Sequence, residues 1–189
     1  MDVKRLKILV TCSSYVKRRT MKEIIIKESE LKKASEEGMD EFLAVFTNKY
    51  LETIGGSITA ETMPMLNGYQ HSLLAYRIFC EEVCSGGFIQ LIQNGYGNYI
   101  FENPFARSMR IFGAGKLSKL VYEAKKIYDV HKEELERETT DEEFNAMYVD
   151  FEVFDGLEEE FFDIEEEQTS IIAHYVDENM SMFATVEVD

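Results

Sequence analysis

The chain has 189 residues, is 45% hydrophobic with 13 Phe and 10 Tyr, and carries a formal charge of −16. That is ample apolar material for one packed domain, which excludes disorder of the whole chain. No apolar run approaches the roughly 20 residues that span a bilayer, and the acid excess argues against direct binding to nucleic acid, whose phosphates would repel it.

The charge is uneven. Residues 1–33 hold ten basic and four acidic residues, or +6, and residues 34–132 sum to −2. Residues 133–189 hold 21 acidic residues and one basic residue, Arg137, or −20. At the start, the apolar run 8–12 is shorter than a typical signal-peptide core of roughly 7–15 residues and basic residues follow it, so the sequence reads as cytoplasmic. Residues 1–23 read as a basic N-terminal extension. Cys12, Cys80 and Cys84 form no C-x-x-C pair and read as small buried thiols.

In chain order, the β-branched run 24–26 looks extended. Ser29 is an N-cap candidate for a helix over 30–37 that Gly38 ends. Asp40 opens the next helix, in which Phe42, Val45, Phe46, Tyr50 and Ile54 recur at helical spacing before Gly55 and Gly56. Residues 57–63 read as a loop. Asn67 and Gln70 form a capping-box pattern that starts a helix running through Cys84. Its apolar residues cover more than one face, so it reads as central and mostly buried. Gly86 and Gly87 interrupt it before a second piece over 88–93. The run 94–98, Asn-Gly-Tyr-Gly-Asn, is a turn signal. Asn103-Pro104 opens another helix, with Pro at the first helical position, and it ends near Gly113–Gly115. Leu117, Leu120, Val121, Ala124, Ile127 and Tyr128 predict an amphipathic helix. Thr140 and Glu143 form a second capping box, ahead of a helix over 141–154. Asp155 and Glu158 mark the start of a long last helix. The tail after Asn179 reads as short and extended. The fold expected is all-α, a single compact domain of about eight helices with an N-terminal extension.

Little in the chain carries chemistry. His71, His131 and His174 stand alone, with no partner at metal-ligand spacing. No serine sits in a nucleophile elbow, Gly95-Tyr96-Gly97 does not complete a dinucleotide-binding loop, and no stretch has the spaced ligands of an EF-hand. The expectation is a non-enzyme with no metal and no cofactor. The most distinctive stretch is Ser85-Gly86-Gly87-Phe88-Ile89-Gln90. A glycine pair between two buried helices allows sharp redirection and close backbone approach. Phe88 is then expected to plug the core, and Gln90 to satisfy backbone groups left open at the break. The alternative is a small-molecule-binding or enzymatic pocket beside Gly86 and Gly87 and the 94–98 turn.

Ser85-Gly86-Gly87-Phe88-x-Gln90, then Asn94-Gly95-Tyr96-Gly97, then Gly113-Ala114, resembles the signature of a helical bacterial domain family of largely unknown function. Its named member is a dimeric DNA-mimic protein that sequesters a transcription factor. The acidic, aromatic close of the chain is similar as well. The resemblance covers about residues 24–185, and departs at Ser85, where the family pattern has Asn. It implies a helical DNA-mimic-like domain over 24–185 and a homodimer. The motif itself (Gly86, Gly87, Phe88, Gln90, Asn94) looks like scaffold.

Whether the acidic third is an ordinary solvated helix face or one made for recognition is a question of spacing. With Leu157 at zero and about 100° per residue, Leu157, Phe161, Ile164, Gln168, Ile171 and Tyr175 stay within about 40° of one line. Glu159, Asp163 and Glu166 fall on the opposite face. Residues 156–178 span roughly 35 Å, so their nine acids come to about 4 Å per charge against about 1.7 Å for duplex DNA. If the 141–154 helix lay alongside, the figure would fall to about 2.5 Å. Lysines at i+4 are missing, so like charges cost a few tenths of a kcal/mol per pair. Phe162 lies off the apolar stripe, as a candidate anchor for a partner or a dimer.

The sequence therefore points to an acidic protein-interaction domain for a basic partner, without binding nucleic acid or membrane, and the resemblance implies a DNA mimic that acts on a DNA-binding protein or transcription factor. The candidate partner-binding residues are Asp141, Glu142, Glu143, Glu159, Phe162, Asp163 and Glu166.

Overall fold

The computed structural model describes residues 21–189. β1 (Ile25–Lys27) leads into α1 (Glu28–Glu37) and α2 (Met39–Ile54). A short 3-10 turn, Met63–Met65, precedes α3 (Gly68–Leu91). Then follow α4 (Gly97–Phe101), α5 (Phe105–Ile111), α6 (Gly115–Leu135), α7 (Asp141–Asp150), α8 (Asp155–Glu178), the single turn α9 (Met180–Phe183) and β2 (Thr185–Glu187). The expected all-α architecture holds, with one two-stranded parallel pairing of β1 and β2 added to it. No described helix is long and apolar enough to cross a membrane.

α3 is the central element, and its start follows from the sequence. Asn67 Oδ1 accepts from the N–H groups of Tyr69 and Gln70 at 2.8 and 3.0 Å, while Gln70 Oε1 accepts from the Asn67 N–H at 2.8 Å. This reciprocal cap satisfies donors that a helix start leaves open. The apolar residues run around the helix, so it buries several faces, against α2, α5 and α8. Phe79 is fully buried at the middle, with the rings of Phe88, Phe105 and Phe161 at 5.8, 5.7 and 5.2 Å. Each such ring contributes roughly 1.5–3 kcal/mol by burial alone, and edge-to-face contacts add to that.

The acidic end is fastened to the rest of the domain. The Phe183 carbonyl accepts from Tyr50 O–H at 3.1 Å and from Gln70 Nε2 at 2.9 Å. Phe112 stacks on Tyr175 at 4.5 Å and meets Phe183 edge-on at 5.7 Å. β2 pairs Thr185 with Ile25 and Val186 with Ile26. The tail expected to be simply extended therefore first makes α9 and only then a strand.

Four other expectations change. α1 starts at Glu28, because the Ser29 N–H is taken by the Asp189 carboxylate at 3.1 Å instead of Ser29 acting as a cap. Residues 94–98 are not a free turn: α3 runs on through a π-helical turn, Ile92–Tyr96, with Gly95 at φ 85, into α4. The buried Ile92, Tyr99 and Ile100 on either side hold that segment against the core. Pro104 is the N-cap of α5 and not its first helical residue. The 141–154 helix is broken, since α7 ends at Asp150 and Glu152–Phe154 is a 3-10 turn that lets Phe154 stack on Phe88 at 5.1 Å. Of the basic extension 1–23, residues 1–20 lie outside the described residues. The Lys22 N–H donates to the Met65 carbonyl at 3.3 Å, and the Glu23 carboxylate accepts from Thr185 Oγ1 at 2.9 Å.

Candidate functional site

The glycine pair and the acidic helices prove to be parts of one arrangement. Gly86 (φ −165, ψ 25) and Gly87 (φ 70, ψ −168) break α3. Gly87 needs the left-handed region that side chains avoid, and a Cβ there would overlap the Glu158 carboxylate. The break frees a carbonyl and an N–H, and buried backbone groups of this kind are costly when unpaired. Tyr148 of α7 donates its O–H to the Gly86 carbonyl at 2.9 Å. Glu158 of α8 accepts from the Phe88 N–H at 2.8 Å. The break is thus a clasp that receives one side chain from each acidic helix.

Phe88 is the expected plug: it is fully buried between Phe79 and Phe154. The expectation for Gln90 is corrected. Its amide Nε2 donates to the Glu82 carboxylate at 3.0 Å, and the same oxygen accepts from Asn94 Nδ2 at 2.8 Å. Gln90 and Asn94 therefore hold each other's segments through Glu82 and do not cap the break. Sequence reasoning missed Glu82, Tyr148 and Glu158. A signal existed for Glu158, because it lies on the flank of the helical wheel and not opposite the stripe. Of the pocket expected beside Gly86, Gly87 and the 94–98 turn, the Glu158 carboxylate fills the space against Gly87, whereas the turn does line a concavity. Open space lies further on: a concavity of about 440 Å³ is lined by Asn94, Gly95 and Tyr96 together with Ser57, Ile58 and Tyr99. A second, of about 330 Å³, lies between α2, α3 and α8.

α8 turns its acids outward as the wheel predicts. Glu159, Asp163 and Glu166 are exposed and make no ion pair among the described residues, and the same is true of Asp155 and Glu160. Phe162 is 56% exposed, pointing off the core. The buried stripe is shifted from the one expected. Phe161, Ile164 and Gln168 are buried, but Leu157, Ile171 and Tyr175 are only half-buried, and the buried line continues through Ile172 and Val176. This drift keeps α8 in contact with α6 while it also covers α2 and α3. Gln168, almost wholly buried, accepts from the Leu117 N–H at 3.3 Å.

Other acids are withdrawn from the outward face. Glu165 faces the groove toward α2, and burial pushes its carboxyl above the usual range, with Asp40 adding to the effect. Burial likewise raises Glu158, against the lowering effect of the Phe88 N–H. Glu167 pairs with Lys116 at 2.5 Å. The remaining outward charge concentrates at the start of α8: Asp155, Glu159, Glu160, Asp163 and Glu166 lie within twelve residues, or about 18 Å. That is about 3.6 Å per charge, close to the roughly 3.4 Å per phosphate along one strand of a duplex.

α7 contributes less than expected. Asp141 and Glu142 are exposed and free of ion pairs among the described residues. Glu143 is engaged: it accepts from the Thr140 N–H at 2.8 Å and from Arg137 at 3.1 Å, and these contacts hold its carboxyl below the usual range, the Thr140 backbone most strongly. α7 has no extended contact with α8, so the side-by-side pair of acidic helices does not form within one chain.

The histidines have structural partners. His71 lies between Tyr99 Oη (2.9 Å) and the Met63 carbonyl (2.8 Å), His131 beside Glu134 (3.3 Å), and His174 on the Ser170 carbonyl (2.7 Å). Among the described residues no three His, Cys, Asp or Glu side chains are grouped to hold a metal ion.

Comparison with known proteins bears on this geometry. The profile of the DMP19-like protein family matches residues 65–179, which runs from the cap of α3 to the end of α8 and includes the clasp. The DNA mimic protein DMP19 of Neisseria meningitidis serogroup B (strain ATCC BAA-335 / MC58) is 30% identical over 130 residues, covering 67% of this chain and 77% of that protein. The chain belongs to the DMP19-like family.

Proposed function

We propose that this chain is a non-enzymatic acidic interaction protein that occupies the DNA-facing surface of a basic, DNA-binding partner. The observation that carries the reading is the outward start of α8, where Asp155, Glu159, Glu160, Asp163 and Glu166 stand unneutralised around the exposed Phe162. The array costs the fold something: Glu159 with Asp163, and Asp163 with Glu166, are like-charge neighbours one turn apart, each opposed by a few tenths of a kcal/mol. A partner with a positive surface relieves that repulsion. The Neisseria relative, the DNA mimic protein DMP19, supports the same direction.

Asp141 and Glu142 of α7 are secondary contributors, and Glu143 acts as cap and clamp for its own helix. One row of charge copies one strand, so a full duplex-like array requires a second row, which a homodimer supplies. Complementary charge speeds encounter and makes binding sensitive to salt. The test is capture on the immobilised chain from a lysate of the source cells at low salt, followed by salt elution. The expected result is a DNA-binding protein that elutes with salt and is not retained when Glu159, Asp163 and Glu166 are changed to lysine. Equal retention by that variant would contradict the reading.

A further inference from the structure

α2, α3 and α8 line an open-mouthed cavity of about 330 Å³ where they cross, separate from the clasp and flanking the acidic face of α8. That is within the roughly 300–1,000 Å³ of small-molecule sites. Its walls are largely apolar: Leu43 and Ala44 from α2, with Leu73, Tyr76 and Cys80 from α3. Two carboxylates from different helices border it, Asp40 at the start of α2 and Glu165 in the middle of α8. Neither has a cationic partner among the described residues.

Among the described residues, the cation in the lining, Arg77, is committed elsewhere. Arg77 Nε donates to Glu81 at 2.6 Å, and its Nη1 donates to Asn48 Oδ1 at 2.6 Å and Thr47 Oγ1 at 3.1 Å. Arg77 and Glu81 therefore cancel each other at one end, and Asp40 and Glu165 leave the cavity with two negative charges. The buried hydroxyl of Tyr76 is satisfied by Thr169 Oγ1 at 2.5 Å, so the apolar wall presents no free donor that would favour an anion.

We propose that this cavity binds a small organic cation, with an ammonium or guanidinium head between Asp40 and Glu165 and an apolar body against Leu43, Leu73 and Tyr76. An apolar pocket with a few charged groups at one side selects in this way: the body supplies burial, and the head pairs charges that are otherwise uncompensated. Burial raises both carboxyls, and Asp40 further raises Glu165. A bound cation would relieve that conflict.

The test uses the full chain and 2-phenylethylammonium as probe, read by titration calorimetry near neutral pH. Saturable one-to-one binding is expected. The uncharged isostere 2-phenylethanol, and the Glu165→Gln chain, should each bind at least about tenfold more weakly. Ala44→Phe, which fills the cavity and leaves the charge alone, should abolish binding while circular dichroism shows the fold retained. Asp177→Asn with Glu178→Gln, exposed carboxylates at the far end of α8, should leave binding unchanged and so separates the cavity from general surface attraction. Absence of saturable binding at millimolar probe, equal binding of the alcohol, or binding that survives both Glu165→Gln and Ala44→Phe would overturn the proposal.

Discussion

Residues 34–132 and 133–189 treat the same residue types in opposite ways. In the first region at least six of eleven acids have a Lys or Arg partner: Glu37, Glu52, Glu81, Glu102, Glu123 and Asp129. In the second, among the described residues, three of twenty-one do: Glu143, Glu167 and Asp189. Two of those three partners, Lys116 and Lys27, come from outside the region. An ordinary solvated face resembles the first region, where neighbours on a helix neutralise one another. The second region spends its hydrogen-bonding capacity on position, through Glu158 and Tyr148 at the clasp, and leaves its outward charge unanswered. Position and exposure are thus divided between different acids on one helix.

The largest expected effect breaks the contrast directly. Changing Glu159, Asp163 and Glu166 to lysine should weaken binding to the captured partner by about 100-fold or more at low salt. The same change should leave unfolding stability equal or slightly raised, because repulsion is removed. Parallel binding and urea-unfolding curves separate the two. Next is Gly87→Ala, which forces an unfavourable φ and displaces Glu158. It should cost about 1–3 kcal/mol of stability, measured by urea denaturation, and should weaken partner binding by less than the charge reversal does. Phe162→Ala removes the exposed ring and should cost about tenfold in affinity with no loss of stability.

A smaller effect comes from pH. Asp40, Glu158 and Glu165 have carboxyls held above their usual range, chiefly by burial. The folded chain therefore takes up protons before the unfolded chain does, and stability rises as pH falls from about 7 toward about 5. Glu143 and Asp189 are lowered, by hydrogen bonds led by the Thr140 N–H and the Ser29 hydroxyl respectively. Their contribution is lost only on further acidification through the ordinary carboxylate range. Melting temperature against pH should show that maximum, and Glu158→Gln should flatten its neutral side. Smallest of all, Glu123→Gln or Asp129→Asn in the paired region should change stability by less than about 0.5 kcal/mol and leave partner binding untouched.

Much of this was legible in the sequence, because the signals were local. The capping boxes at Asn67 and Thr140, the break at Gly86 and Gly87, and the outward line Glu159, Asp163, Glu166 all follow from spacing within one helix. What was not legible required contacts between helices. Glu158 reads as part of a helix-start signal until α8 lies against the break in α3. Gln90 reads as a cap for that break until Glu82 and Asn94 come within reach. Residues 94–98 carry every mark of a free turn, yet Ile92, Tyr99 and Ile100 bury around them and keep the chain helical. The buried stripe of α8 drifts from the ideal wheel because the helix packs on α6 and on α2 together, a constraint no single-helix projection contains.

We propose that the unanswered acids at the start of α8 stand in for phosphates. The direct measurement is competition between this chain and duplex DNA for the captured DNA-binding partner, followed at several salt concentrations. Mutually exclusive binding is expected, with log affinity falling linearly as log salt rises, and a shallower slope when Glu159, Asp163 and Glu166 are neutralised to Gln or Asn. A stable ternary complex of chain, partner and DNA, or an affinity indifferent to salt, would contradict it.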